Sequence, residues 1–192
     1  MKKFFLALLV LVLVILGFVY FKDEKVIEPE LGTKCYDSQK YFVIEKSLSD
    51  TVGSNILIKY KKSRAESIPC SYSVKEGDWE LNNLEASYFL TLTDNFLVLD
   101  VGTAPPPRGI LVYNLNTRKE VFRDMYTKPV EVSGDKITYL SVSKDIVTSI
   151  NCPMLDEYKS NGLGATILSK VTVDLATLVK TDLGQKECIA VQ

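Results

Sequence analysis

The chain has 192 residues, 23 basic and 24 acidic side chains, a net charge of −1 and no histidine. The missing histidine excludes Ser-His-Asp, Cys-His and His-metal chemistry. The balanced charge offers no basic surplus for a nucleic-acid partner.

Residues 4–21, within "MKKFFLALLVLVLVILGFVYFKDEK", form an apolar run of 18 residues without a charge. A helix rises about 1.5 Å per residue, so this run covers roughly 27 Å, close to the ~30 Å hydrocarbon core of a bilayer. A cleaved signal peptide is the competing reading, because Lys2 and Lys3 supply a positive n-region. The run ends "LGFVYF", however, which lacks the small-x-small pattern of a cleavage site. The first cysteine, Cys35, lies 14 residues past Phe21, which disfavours a lipid-modified N-terminus. An uncleaved transmembrane anchor is therefore expected over 1–21, with membrane contact through 4–21.

Lys2 and Lys3 precede the span, whereas Lys22, Asp23, Glu24 and Lys25 after it cancel. The positive-inside rule then leaves the N-terminus cytoplasmic and the C-terminal part extracytoplasmic, either periplasmic or extracellular. Residues 22–34 are charged and carry Pro29 and Gly32, which reads as a juxtamembrane linker. Residues 35–192 are long enough for one exported domain with its own core.

All four cysteines, Cys35, Cys70, Cys152 and Cys188, fall on the exported side, where disulfides persist. Four cysteines allow three connectivities, and pairing of sequence neighbours, Cys35 with Cys70 and Cys152 with Cys188, is favoured. No CxxC spacing is present, so the cysteines read as disulfides and not as a metal site. No metal and no cofactor are expected.

Within the domain the hydrophobic period is two. "NILIKYKK" and "KITYLSV" alternate, and "YFVIEKSL", "CSYSV", "SYFLTLT", "NFLVLDV", "GILVYNL", "KEVFRD", "DIVTSI" and "ILSKVTVDL" are further strand candidates. Turn formers separate them at "TDN" (93–95), "NLNT" (114–117), "SGD" (133–135) and "NGLG" (161–164). Many short strands in succession imply an all-β, antiparallel domain, either a β-sandwich or an open barrel. "LVYNLNT" (111–117) is echoed by "VTVDLAT" (171–177), an apolar strand closing in Asn/Asp-Leu-x-Thr. The echo resembles the strand-to-strand turn of a β-propeller blade.

The stretch "LVLDVGTAPPPRGI" sets a turn and three prolines between two strand candidates. Gly102 permits a positive-φ turn, and Pro105, Pro106 and Pro107 have no N–H to give a sheet, which places them in a loop. Arg108 stands eight residues after Asp100, where a strand–loop–strand connection brings it back as an ion-pair partner. Asp100, Gly102, Thr103 and Arg108 are therefore the candidate binding loop. "LVLDVGT" also resembles the aspartic-protease signature at Leu99, Asp100, Gly102 and Thr103, although Val101 stands where those enzymes carry a hydroxyl residue. It resembles, too, the phosphate-binding Asp-x-Gly-Thr turn of the actin and sugar-kinase fold, which requires two α/β lobes. Asp156 and Glu157 read as a solvated turn, Trp79 as a core residue, and most tyrosines as strand residues.

The functional expectation is a non-catalytic binding or envelope-associated module with a protein or cell-envelope component as partner. The alternative is an exported aspartic-type hydrolase centred on Asp100.

Overall fold

The computed structural model describes residues 32–82 and 85–192; the expected span and residues 22–31 of the expected linker lie outside them. No helix among the described residues is long and apolar enough to cross a membrane.

The described chain is all-β apart from one short helix. In order the elements are β1 (Thr33–Asp37), β2 (Tyr41–Ser47), β3 (Ser54–Tyr60), β4 (Trp79–Leu81), β5 (Ser87–Leu92), β6 (Phe96–Val101), β7 (Arg108–Asn114), β8 (Lys119–Ser133), β9 (Lys136–Val142), α1 (Leu155–Ser160), β10 (Gly164–Asp174) and β11 (Val179–Val191). They form two antiparallel sheets, one of four strands ordered β1-β2-β3-β4 and one of seven ordered β11-β10-β9-β8-β7-β6-β5. Strand neighbours in each sheet are therefore neighbours in sequence. β1 starts at Thr33, inside the last residues of the expected linker.

Alternation along β6 explains how the layers meet. Leu97, Leu99 and Val101 pack with Tyr41, Val43, Ile56 and Ile58 of the four-stranded sheet. Phe96 and Val98 point the other way, into a second core with Ile110, Val112, Tyr126, Ile137, Tyr139, Val171 and Val173. The seven-stranded sheet thus curls so that its later strands cover one face of β6 and β7, while the smaller sheet covers the other. β6 is buried along its whole length in consequence. At about 25 cal/mol per Å² of apolar surface, a strand covered on both faces contributes heavily to stability.

The sequence echo corresponds to repeated turn geometry. Asn114 Oδ1 accepts the N–H of Asn116 and Thr117, and Asp174 Oδ1 accepts those of Ala176 and Thr177. Arg118 and Leu178 follow with φ of 57° and 58°. The Leu115 N–H donates to Asn95 O at 2.9 Å and the Leu175 N–H to Asp135 O at 2.8 Å; Lys61 to Lys40 O repeats the bond in the first sheet at 2.8 Å. The closing bond therefore recurs three times among the described residues, and the Asn/Asp turn that follows it twice.

Both disulfides join the cysteines expected, Cys35–Cys70 and Cys152–Cys188. Each pins a long connection over a buried isoleucine. Cys35 opposes Ile44 across β1 and β2, and Cys188 opposes Ile167 across β11 and β10. Two bridges of this kind mark an oxidising, extracytoplasmic setting.

Two strand expectations are corrected. "CSYSV" lies in the 61–78 connection, where Cys70 is tied to β1 and the Ser71 N–H turns back to Pro69 O. "DIVTSI" is wound into a turn by Asn151, whose side chain accepts the Thr148 N–H and donates to Ile146 O. In both, local hydrogen bonds replace a ladder. Asp156 and Glu157 lie in the first turn of α1 and are exposed, as expected.

Candidate functional site

Asp100 is the penultimate residue of β6 and Arg108 opens β7, with Val101 opposite Gly109 in the register. Gly102 turns the chain at φ +102°, a conformation side-chain-bearing residues rarely adopt. The 102–107 loop then projects, with Thr103, Ala104, Pro105 and Pro106 exposed.

Beneath the loop, Asp100 is 2% exposed. Arg108 Nε lies 3.0 Å from its Oδ1, and Lys128 Nζ lies 3.1 Å from its Oδ2. A second donor of Arg108, Nη2, reaches back to Gly102 O, which fastens the turn itself. The guanidinium stands 5.5 Å from the centroid of the Tyr88 ring. Tyr88 is the register partner of Asp100, and its hydroxyl accepts the Gly53 N–H, which links this end of β6 to the four-stranded sheet.

The ion pair expected between Asp100 and Arg108 is formed, and Gly102 joins it through its carbonyl. Thr103 lines an adjoining hollow of about 480 Å³ together with Arg108, Ala104, Pro105, Tyr126 and Lys128. Lys128 and Tyr126 were not legible as site residues. Tyr126 arrives because it is the register partner of Arg108, and Lys128 because β8 shifts register just beyond, between Thr127 and Glu131.

Tyr126 is 1% exposed. Burial first, and the Asp100 carboxylate second, push the pKa of its hydroxyl up, so it remains a protonated donor. Tyr126 Oη, Asp100 Oδ1 and Arg108 Nε are all buried without an aligned hydrogen bond. The Arg108–Asp100 contact is thus a charge pairing whose donor direction is imperfect.

A second polar cluster stands on the same concave face. Asp124 Oδ2 accepts from Tyr139 Oη at 2.8 Å, Ser141 Oγ at 2.9 Å and Lys180 Nζ at 2.6 Å. Burial pushes the Asp124 carboxyl up, but the bonds from Lys180, Tyr139 and Ser141 outweigh it and hold the pKa below the usual value. Lys180 Nζ is also 2.7 Å from Ser141 Oγ. With its ammonium paired to a carboxylate, Lys180 is a cation anchored in a network and is unsuited to act as a base toward Ser141. Trp79 packs edge-on to Tyr113 with ring centroids 5.6 Å apart, against the core between the sheets, as its aromatic character led us to expect.

Chemically, the Asp100 site is a buried carboxylate flanked by two cations under a rigid, exposed loop. In comparisons with protein-family models, characterised proteins and solved structures, the chain matches none of them.

Proposed function

We propose that this protein is a single-pass, membrane-anchored module, anchored through residues 4–21, whose extracytoplasmic β-domain binds a protein or another cell-envelope component without turning it over, and that the 102–107 loop is its recognition element. The observation that carries the reading is the Asp100 staple. Both carboxylate oxygens face cations, so the residue is committed to holding a loop and is poorly placed to activate water. Three prolines on an exposed loop lose little conformational freedom on binding, which suits recognition. The two disulfides support an extracytoplasmic setting, and the charge asymmetry about residues 4–21 supports the orientation.

The test is photo-crosslinking from position 104 in cells, with position 179 as an exposed control, combined with protease added after the outer barrier is opened. Crosslinks concentrated at 104 and digestion of residues 35–192 are expected. A domain that stays protected in the cytosol overturns the topology. Pepstatin-sensitive peptide cleavage that disappears in Asp100→Asn overturns the non-catalytic reading in favour of an aspartic-type hydrolase.

A further inference from the structure

We infer that the 143–154 segment is a membrane foot: Ile146, Ile150 and Met154 seat in the surface of the phospholipid bilayer that holds the chain, and so set the domain down on that end. The inference rests on the anchor proposed above and goes beyond it, because a tether alone leaves the domain free to turn.

Two isoleucines stand out of the fold. Ile146 is 82% exposed and Ile150 92%, the two most exposed large apolar side chains among the described residues, and Met154 follows them at 45%. A single apolar side chain at a surface is ordinary, whereas three within nine residues of one segment mark a surface that something covers. The turn is built to keep them outside. Asn151 Oδ1 accepts the Thr148 N–H, Asn151 Nδ2 donates to Ile146 O, and the Cys152 N–H closes on Thr148 O at 2.9 Å. Cys152 itself is fully buried and tied to Cys188 of β11. Folding the isoleucines back onto the core therefore means undoing both the local hydrogen bonds and the covalent base of the turn. In water each of them carries an unfavourable exposure that a polar residue would not.

The charges around the segment indicate the kind of surface it meets. Lys144, Lys159 and Lys186 balance Asp145, Asp156 and Glu157, with Lys186 Nζ 2.6 Å from Asp145 Oδ2. An apolar tip without net charge suits the interface of an uncharged bilayer and gains nothing from an anionic one.

Position supplies the bilayer. Gly32 O accepts the Ser47 N–H, Ser47 opposes Ser54, the adjacent Gly53 N–H donates to Tyr88 Oη, and Tyr88 opposes Asp100. Asp100 meets Arg108, which opposes Tyr126, and Tyr126 opposes Ser141, two residues before the Ser143 N–H bonds Ile167 O at the start of the excursion. Residue 32 and the foot therefore share one end of the domain. They lie on its two outer layers, separated by two sheet spacings of about 10 Å each. Between Gly32 and the apolar run stand only residues 22–31, and ten residues extend at most roughly 35 Å. A tether of that length, leaving from the same end, holds the foot within reach of the bilayer at high effective concentration. Leu178 and Val179 are exposed as well, but they occupy the opposite end, where Asp174 turns to pair with Val179, while Gly164 pairs with Val191 at the end of the foot.

The experiment places the full-length chain in phosphatidylcholine vesicles that carry a trace of phosphatidylcholine with a diazirine in its acyl chain. After flotation, irradiation, reduction and trypsin, lipid adducts are counted by mass spectrometry on peptide 145–159 and on peptide 171–180, which holds Leu178 and Val179 as the control. Peptide 145–159 should carry roughly tenfold more adducts, the factor that burial of a single isoleucine brings. Ile146→Ser combined with Ile150→Ser removes no packed side chain and should bring 145–159 down to the control with the melting temperature unchanged. Equal labelling of the two peptides in a chain that floats overturns the foot and leaves the anchor, as does labelling of 145–159 that survives the double substitution. Cross-links between two copies at 145–159 without lipid adducts give the surface to a second copy and overturn the bilayer as its occupant. A chain that fails to float overturns the anchor, and the foot with it.

Discussion

Asp100 and Arg108 stand at opposite ends of a loop yet meet at 3.0 Å, and they differ in how far each reaches solvent: the carboxylate side chain is 3% exposed and the guanidinium side chain 22%. The asymmetry fixes which partner is costlier to remove. Arg108→Gln leaves a buried carboxylate with only the solvated Lys128, whereas Asp100→Asn leaves two cations with access to water. We expect losses of about 2–4 kcal/mol for Arg108→Gln and about 1–2 kcal/mol for Asp100→Asn. The double variant should cost less than the sum. Urea unfolding of the three variants checks this, and additive losses would remove the staple.

The Cys152–Cys188 bridge holds the 143–163 excursion, whose helix of six residues is too short to persist alone. Each bridge closes a loop of about 35 residues, for which chain entropy gives roughly 3–4 kcal/mol. Replacing Cys152 and Cys188 by Ser should open 143–163 to limited proteolysis while 61–78 stays protected. Cys35→Ser with Cys70→Ser should do the reverse. Cleavage at both segments in either variant would mean that the bridges do not act locally.

Asp124 makes stability depend on acid. Its pKa in the folded chain is lowered, so the stabilisation is present above the unfolded value of about 3.9 and is lost as pH falls through the folded value. Asp124→Asn should therefore lower stability at neutral pH and flatten the acid limb below about pH 4. Thermal melts of both proteins between neutral and strongly acid pH read this directly. An unchanged acid limb would assign the loss to other carboxylates.

Leu178 sits at φ 58° in a left-handed conformation and is exposed. Leu178→Asn should raise stability by about 0.5–1 kcal/mol, because asparagine tolerates that region and little packing is lost. A lower midpoint in denaturant would show that the leucine packs more than its exposure suggests.

What the sequence disclosed follows burial. β6, β7 and β9 are marked by dense apolar alternation because a core lies against them, and their limits agree with the sequence reading to within a residue. β11 was missed because nine of its residues, from Val179 to Glu187, are exposed and mostly polar, so its partner β10 alone dictates its strand form. β4 has three residues and is placed by Trp79 against Ile58. At the candidate site, Asp100 and Arg108 were legible because a hairpin brings its ends together at any register. Lys128 was not, because its approach depends on a register shift in β8 that no local pattern marks.

The ladder order of both sheets carries a kinetic consequence. Within each sheet every strand bonds only to its neighbours in the chain, and apart from the 61–78 and 143–163 connections, which the two disulfides hold, each pairing closes a short stretch of backbone. Rates of two-state folding rise as the mean sequence separation of contacts falls, so this domain should fold faster than all-β domains whose sheets join remote strands. The assembly is also ordered: β6, covered on both faces, is secured only when the strands before it and those after it have both arrived.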